Sequence, residues 1–127
     1  MKYKVGIIGC GGIFPRHLEA IQQNPEFELG ALCDIQGDLV KRYNVPSYTD
    51  YTQMVKDGGI NFIVVATPNS LHKKQAIFAL KNKCDVLIEK PVAFNIQDVK
   101  EIQSIANKYN KNAYCVLQVR LNPTVSL

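Results

Sequence analysis

Short apolar segments alternate with amphipathic segments along the whole chain. The apolar segments predict five strands, at residues 4–8, 27–33, 61–66, 86–88 and 113–119. Segment 61–66 is almost wholly apolar, which is typical of a parallel strand that is buried on both faces of a sheet.

The segments between these strands predict helices. Apolar spacing and capping residues place them at 16–23, at 37–43, at 51–56 after Asp50, at 70–83 from Ser70 and after Asn95. Strand and helix alternate throughout, and parallel strands need crossover helices of about this length. The pattern therefore predicts an α/β fold, a doubly wound (Rossmann), mostly parallel sheet with helices on both faces.

The composition is that of an ordinary globular domain. The 127 residues are 46% hydrophobic and 20% charged, which excludes a disordered or fibrous chain. The net charge of +4 comes from scattered basic residues, so we expect no nucleic-acid partner. The apolar runs are too short to cross a bilayer, and residues 1–4 lead into a strand without a signal-peptide cleavage site. We therefore expect a cytoplasmic protein without membrane contacts.

The cysteines indicate neither a disulfide framework nor a metal centre. They lie far apart, without a Cys-x-x-Cys pair or a histidine at metal-ligand spacing. Their neighbours are apolar, so we expect buried, reduced thiols at Cys10, Cys33, Cys84 and Cys115.

A glycine cluster between the first strand and the first helix is the first candidate binding motif. It reads Gly9-Cys10-Gly11-Gly12-Ile13-Phe14. In this setting the first glycine permits a tight turn, the second lets the backbone approach a pyrophosphate, and the helix N-terminus supplies amide donors. Phe14 occupies the third glycine position and Pro15 removes one amide donor. A tight turn that binds no nucleotide is the alternative interpretation.

Asp34 ends the second predicted strand, about 20 residues beyond the glycines, where a carboxylate can accept hydrogen bonds from ribose hydroxyls. Its charge would repel a 2′-phosphate, which favours NAD over NADP. Lys41 and Arg42 leave NADP open, and a simple turn or helix cap is the alternative role for Asp34.

Two further polar clusters follow later strands. His72 comes just after the turn Thr67-Pro68-Asn69, where it could line a cofactor pocket or be a solvated residue at a helix start. Lys90, in Glu89-Lys90-Pro91, could hydrogen-bond a substrate hydroxyl and favour its developing alkoxide, or form an exposed ion pair.

Together these motifs resemble the glucose-fructose oxidoreductase / inositol 2-dehydrogenase / rhizopine catabolism (Gfo/Idh/MocA) family. The resemblance covers essentially the whole chain and rests on the glycine cluster, Ala66-Thr67-Pro68-Asn69-x-x-His72, Glu89-Lys90-Pro91 and Arg120-x-Asn122-Pro123. The last segment, with Gln118, is similar to the branch that oxidises UDP-linked amino sugars at C3 during surface-polysaccharide synthesis.

The resemblance implies a role for each matching residue. The pyrophosphate would lie on Gly9, Gly11, Gly12 and Ile13, and the adenosine ribose on Asp34. The nicotinamide half would lie near Thr67, Pro68, Asn69, His72, Glu89, Lys90 and Gln118. Lys90 would also contact the reacting hydroxyl of the substrate, with Arg120 near the nicotinamide or substrate.

The expected organisation is a Rossmann domain at 1–120, followed at 121–127 by the junction to a second domain. That domain, absent from this chain, would supply the proton acceptor, most substrate contacts and the interface of a homo-oligomeric parent, a dimer or tetramer. The parent would be an NAD-dependent sugar or nucleotide-sugar dehydrogenase, and this chain alone would be inactive. A non-catalytic NAD-sensing module is the alternative, and a domain whose cleft is filled by Phe14 is the third possibility.

Overall fold

A parallel sheet forms the centre of the described structure. The computed structural model describes residues 3–9, 14–37, 43–57, 59–67, 69–89 and 96–115, except for the side chains at 14, 69, 70 and 115. The strands in this part of the chain are β1 (Tyr3–Ile8), β2 (Phe27–Cys33), β3 (Ser47–Tyr48), β4 (Phe62–Val65), β5 (Asp85–Ile88) and β6 (Ala113–Cys115). The helices are α1 (Phe14–Gln23), α2 (Tyr51–Asp57), α3 (Asn69–Lys81) and α4 (Ile96–Lys108).

The strand order is β3-β2-β1-β4-β5-β6, and every neighbouring pair is parallel. Strands β2 and β3 are added on one side of β1. The chain then crosses back, and β4, β5 and β6 are added on the other side of β1. The order therefore reverses between β1 and β4, and ligands of such sheets bind beyond the carboxyl ends of the strands at this point. The predicted doubly wound α/β fold is confirmed.

The sheet has an apolar layer on each face. Ile21 of α1 packs on one face, over Val5, Ile7, Leu32 and Val64. Side chains from α2, α3 and α4 pack on the other face, and they include Met54, Leu80 and Ile102. Helices thus lie on both faces, as predicted, and burial on both sides accounts for the continuous apolar run of β4.

The five predicted strands are present, with small shifts at their ends. Strand β3 was missed because a two-residue strand has no periodicity to detect. It is held by backbone hydrogen bonds, in which the Leu32 amide donates to the carbonyl of Pro46 and the Asp34 amide to that of Tyr48, each at 3.0 Å. The prediction for 37–43 lies mostly outside the described residues, as does that for 116–119.

Helix α3 differs from its prediction at both ends. It begins at Asn69, so Ser70 lies inside the first turn and the prediction that it caps the helix was wrong. It ends at Lys81, because Lys83 adopts a left-handed conformation with φ 68°. The amides of Lys83 and Cys84 then donate to the carbonyls of Leu80 and Ala79, each at 3.0 Å, which is the Schellman arrangement that terminates a helix.

Helix α2 begins where the cap was predicted. The Asp50 carboxylate accepts hydrogen bonds from the Thr52 amide at 2.9 Å and from the Thr52 hydroxyl at 2.7 Å. These bonds hold the pKa of Asp50 below its ordinary value. The predicted cap is confirmed.

Candidate functional site

Gly9 lies where the carboxyl ends of β1 and β4 approach each other. Its amide donates to the carbonyl of Cys33, and the Ala66 amide donates to the carbonyl of Ile8, both at 2.8 Å. Gly9 has φ 94°, and a Cβ there would lie 2.8 Å from the Ala66 carbonyl oxygen. This turn therefore requires glycine for both its backbone conformation and its space. Gly11, Gly12 and Ile13 lie outside the described residues.

A pocket of about 320 Å³ opens beside this turn. It lies at the carboxyl ends of β1, β2 and β4, with the start of α3 on one side. Its lining combines apolar and polar side chains, among them Ile35, Leu71, Asp34, Gln36, Tyr51 and Gln75. Small-molecule sites in proteins have this size and this mixture of chemistry.

Asp34 lines the pocket and is held from two sides. Its backbone amide donates to the Tyr48 carbonyl at 3.0 Å, so the short strand β3 fixes its position. Its carboxylate accepts a hydrogen bond from the Gln36 amide at 2.8 Å. Asp34 therefore caps a local turn and also presents its carboxylate at the pocket, so the two interpretations of this residue are compatible.

Two apolar residues at the pocket were missed by sequence reasoning. Ile35 is 88% exposed and Leu71 is 41% exposed, although both have large apolar side chains. Exposed apolar surface of this kind marks a place where a ligand or partner can bind. The signal in the sequence is an isoleucine directly after the strand-ending acid, where a polar loop residue is more usual.

The turn after β4 is fastened to α3 by two side chains. The Thr67 hydroxyl donates to the Gln75 side-chain oxygen, and the His72 Nε2 lies within hydrogen-bonding distance of the Thr67 carbonyl oxygen. His72 is only 1% exposed, so its interpretation as a solvated residue was wrong. Its ring contacts the backbone of the turn at Thr67. A direct contact between His72 and a cofactor stays a prediction. Asn69 begins α3, while Pro68 lies outside the described residues.

Glu89 directly follows β5, which neighbours β4 on the side away from β1. Its amide donates to the Val65 carbonyl at 2.8 Å, and its side chain is only 9% exposed. The carboxylate Oε2 lies 2.8 Å from Nε2 of His17 on α1, whose side chain is 13% exposed. Sequence reasoning missed His17, because only the packing of α1 over the sheet brings it to Glu89. Lys90, Gln118 and Arg120 lie outside the described residues.

Cys33 and Cys84 are reduced and buried, as predicted. Burial, reinforced by the charges of Asp34 and Asp50, raises the pKa of Cys33 to about 12. Burial also raises the pKa of Cys84 to about 11. Cys33 lines the pocket but is protonated at neutral pH, so it supplies no thiolate nucleophile there. The thiols of Cys10 and Cys115 are outside the described part of the structure.

None of the helices in the described ranges is long and apolar enough to cross a membrane.

Comparison with known proteins places this geometry in a family. The model of a family described as "Oxidoreductase family, NAD-binding Rossmann fold" matches residues 3–117. The scyllo-inositol 2-dehydrogenase (NADP(+)) of Bacillus subtilis is 30% identical over 108 residues, covering 81% of this chain and 33% of that protein. The glucose-6-phosphate 3-dehydrogenase of the same organism is 30% identical over 114 residues, which cover 87% of this chain and 32% of that protein.

A solved structure shows the same arrangement of elements. The WlbA dehydrogenase from Bordetella pertussis, crystallised in complex with NADH and UDP-GlcNAcA, is 28% identical and matches with a TM-score of 0.86. The match covers 96% of this chain and 40% of that one, and the chain spans about a third of the length of the two curated relatives. On the family match, the chain belongs to the Gfo/Idh/MocA oxidoreductases and carries their NAD-binding Rossmann domain.

Proposed function

We propose that this chain is the coenzyme-binding part of a dehydrogenase that transfers hydride between a hydroxyl-bearing carbon of a sugar, or nucleotide sugar, and nicotinamide. The observation that carries the proposal is the pocket at the strand-order reversal, with Gly9 and Asp34 on its lining. Relatives named for reactions on inositol and sugar phosphate, and a neighbour crystallised with a nucleotide sugar, support the substrate class.

The residues present fit a dinucleotide. The missing Cβ of Gly9 lets the ends of β1 and β4 meet in a tight turn, and Gly11, Gly12 and Ile13, which follow it, would hold the pyrophosphate. Asp34 would accept hydrogen bonds from the adenosine ribose, and the exposed side chains of Ile35 and Leu71 would contact the adenine ring. The other half of the coenzyme would then lie over the ends of β4 and β5, near Thr67 and Glu89.

Bound nicotinamide supplies the hydride acceptor. In this chain Lys90 would hydrogen-bond the substrate hydroxyl and favour its developing negative charge, and a base in the remainder of the parent would take the proton. Arg120 and Gln118 would lie near the substrate and the nicotinamide. With the proton acceptor placed in the remainder of the parent, the isolated chain should bind coenzyme without turning over substrate.

Asp34 favours NAD over NADP, because its carboxylate would repel a 2′-phosphate. Calorimetric titration of the chain with NADH and with NADPH tests both the site and the preference. We expect NADH to bind at least about tenfold more tightly, the effect of roughly 1.4 kcal/mol. Absence of binding for both coenzymes would overturn the proposed function, whereas equal binding would overturn only the preference.

A further inference from the structure

The contact between His17 and Glu89 joins two elements that the sheet keeps apart. Helix α1 follows β1, Glu89 follows β5, and β4 lies between those strands. His17 belongs to the first half of α1, and its Nε2 reaches Oε2 of Glu89 at 2.8 Å across the end of β4. The pair therefore links the helix that follows the glycine turn to the end of β5 at Glu89.

Glu89 is fixed through its backbone and nearly enclosed at its side chain. The hydrogen bond from its amide to the Val65 carbonyl extends the pairing of β5 with β4 by one residue. Its side chain, 9% exposed, lies against an imidazole that is 13% exposed. Nε2 of His17 lies close to the carboxylate oxygen outside the geometry of a directed hydrogen bond, so the contact is a close polar one.

Such a pair contributes little to the free energy of unfolding. Two polar groups withdrawn from water lose hydration, and well-packed apolar side chains of similar volume often stabilise a fold as much or more. What the pair does provide is a defined direction for the Glu89 side chain.

The adenosine side of the site lies elsewhere on the rim. Within the pocket, Asp34 and Gln36 lie at the end of β2, on the other side of β1 from β4 and β5. A change at His17 would therefore act on the half of a bound dinucleotide that lies over β4 and β5, and leave the half beside Asp34 in place.

We infer that His17 is a positioning residue: it orients the Glu89 carboxylate beside the ends of β4 and β5, where the nicotinamide half of the coenzyme would lie. The inference rests on the proposed function, since it assigns this role within the same dinucleotide site.

The test compares two ligands on the chain itself. NADH occupies both halves of the site, whereas ADP lacks the whole nicotinamide half, its ribose included. We expect H17A to weaken NADH binding about tenfold, as for the loss of one polar contact to a charged group, and to change ADP binding by less than about twofold. H17Q, which keeps a polar N–H group of similar reach, should restore most of the NADH affinity.

Glu19→Ala serves as the matched control, because Glu19 is an exposed residue on the same helix. It should leave both ligands unaffected. If H17A does not fold, as judged by circular dichroism, H17L, which fills a similar volume without a polar group, takes its place and must show the same selective loss for NADH.

The outcomes separate the inference from the function on which it rests. Equal weakening of NADH and ADP binding by H17A, no weakening of either, or no rescue by H17Q would overturn the positioning role while the coenzyme site stands. A wild-type chain that binds neither ligand would overturn both.

Discussion

The backbones of Gly9 and Ala66 lie so close together that a methyl side chain on Gly9 would force them apart. A Cβ on Gly9 would lie 2.8 Å from the carbonyl oxygen of Ala66, and the amide of Ala66 already donates to Ile8 at 2.8 Å. The end of β1 and the end of β4 are therefore held together at the point where the strand order reverses. The rim of the pocket depends on this approach.

Gly9→Ala should destabilise the chain and impair coenzyme binding together. The positive φ alone costs about 1–3 kcal/mol with a side chain present, and the Ala66 carbonyl must also move. Urea denaturation and NADH titration measure the two effects. Gly59→Ala is the control, because Gly59 also has a positive φ of 65° but its added Cβ would meet nothing nearer than Lys4 Nζ at 3.9 Å. A G9A variant with wild-type NADH affinity would contradict the proposed role of the turn.

Substitutions at Asp34 should separate its turn from its binding role. D34N keeps an oxygen for the Gln36 amide but loses the charge, so we expect near-normal stability, weaker NADH binding and improved NADPH binding. D34A also loses the turn contact and should lower the free energy of unfolding by about 1 kcal/mol. Titration with both coenzymes gives the ratio of the affinities for NADH and NADPH. An unchanged NADH to NADPH ratio in D34N would show that the carboxylate does not select the coenzyme.

Cys33 should react slowly with alkylating reagents and faster as the pH rises. Its pKa of about 12 leaves very little thiolate near neutral pH, so each pH unit between 7 and 9 should raise the rate about tenfold. Peptide mapping after iodoacetamide treatment measures the rate at each cysteine. NADH should protect Cys33, which lines the pocket, and leave Cys84, whose pKa is about 11, unprotected. A rate that levels off below pH 9 would contradict the raised pKa.

The same shifts predict a loss of stability at high pH. The pKa values of Cys33 and Cys84 are raised in the folded chain from an ordinary value of 9.0, so the folded state retains protons that the unfolded state releases. Their contribution is fully present below pH 9 and declines as the pH rises toward about 11 and 12. Thermal melts of wild type and C33A between pH 7 and 11 should show a steeper decline for the wild type. Parallel declines would exclude Cys33 as a cause.

Lys90→Ala in the full-length parent should lower turnover far more than coenzyme affinity. A group that stabilises the developing charge on the reacting hydroxyl contributes about a hundredfold or more to the rate. Steady-state rates and NADH titration of the same preparation measure the two quantities. Near-normal turnover would remove Lys90 from the mechanism.

Local patterns predicted the frame of this fold well. Three features could be recognised from a few neighbouring residues: the apolar run of β4, the glycine after β1 and the acid after β2. The cap at Asp50 is also a local feature, in which the carboxylate bonds to a residue two positions away. Such features are encoded in adjacent residues and are therefore visible before the chain is folded.

Features that depend on distant partners were missed. Strand β3 exists because β2 offers it hydrogen bonds, and His17 meets Glu89 only after α1 packs across the sheet. The end of α3 was misplaced because Lys83, a residue with a Cβ, adopts the left-handed conformation that glycine usually supplies. In each case the deciding interaction lies outside the local pattern.

The parallel strand order constrains when the binding rim can arise during synthesis on the ribosome. Neighbouring strands are never joined by a hairpin in the described sheet, and β1 takes its second neighbour from residues 62–65. A nascent chain that has released β1 and β2 can pair those strands, but the Ile8 carbonyl lacks the Ala66 amide until β4 emerges. Coenzyme can therefore assist folding only after about half of the chain has left the exit tunnel.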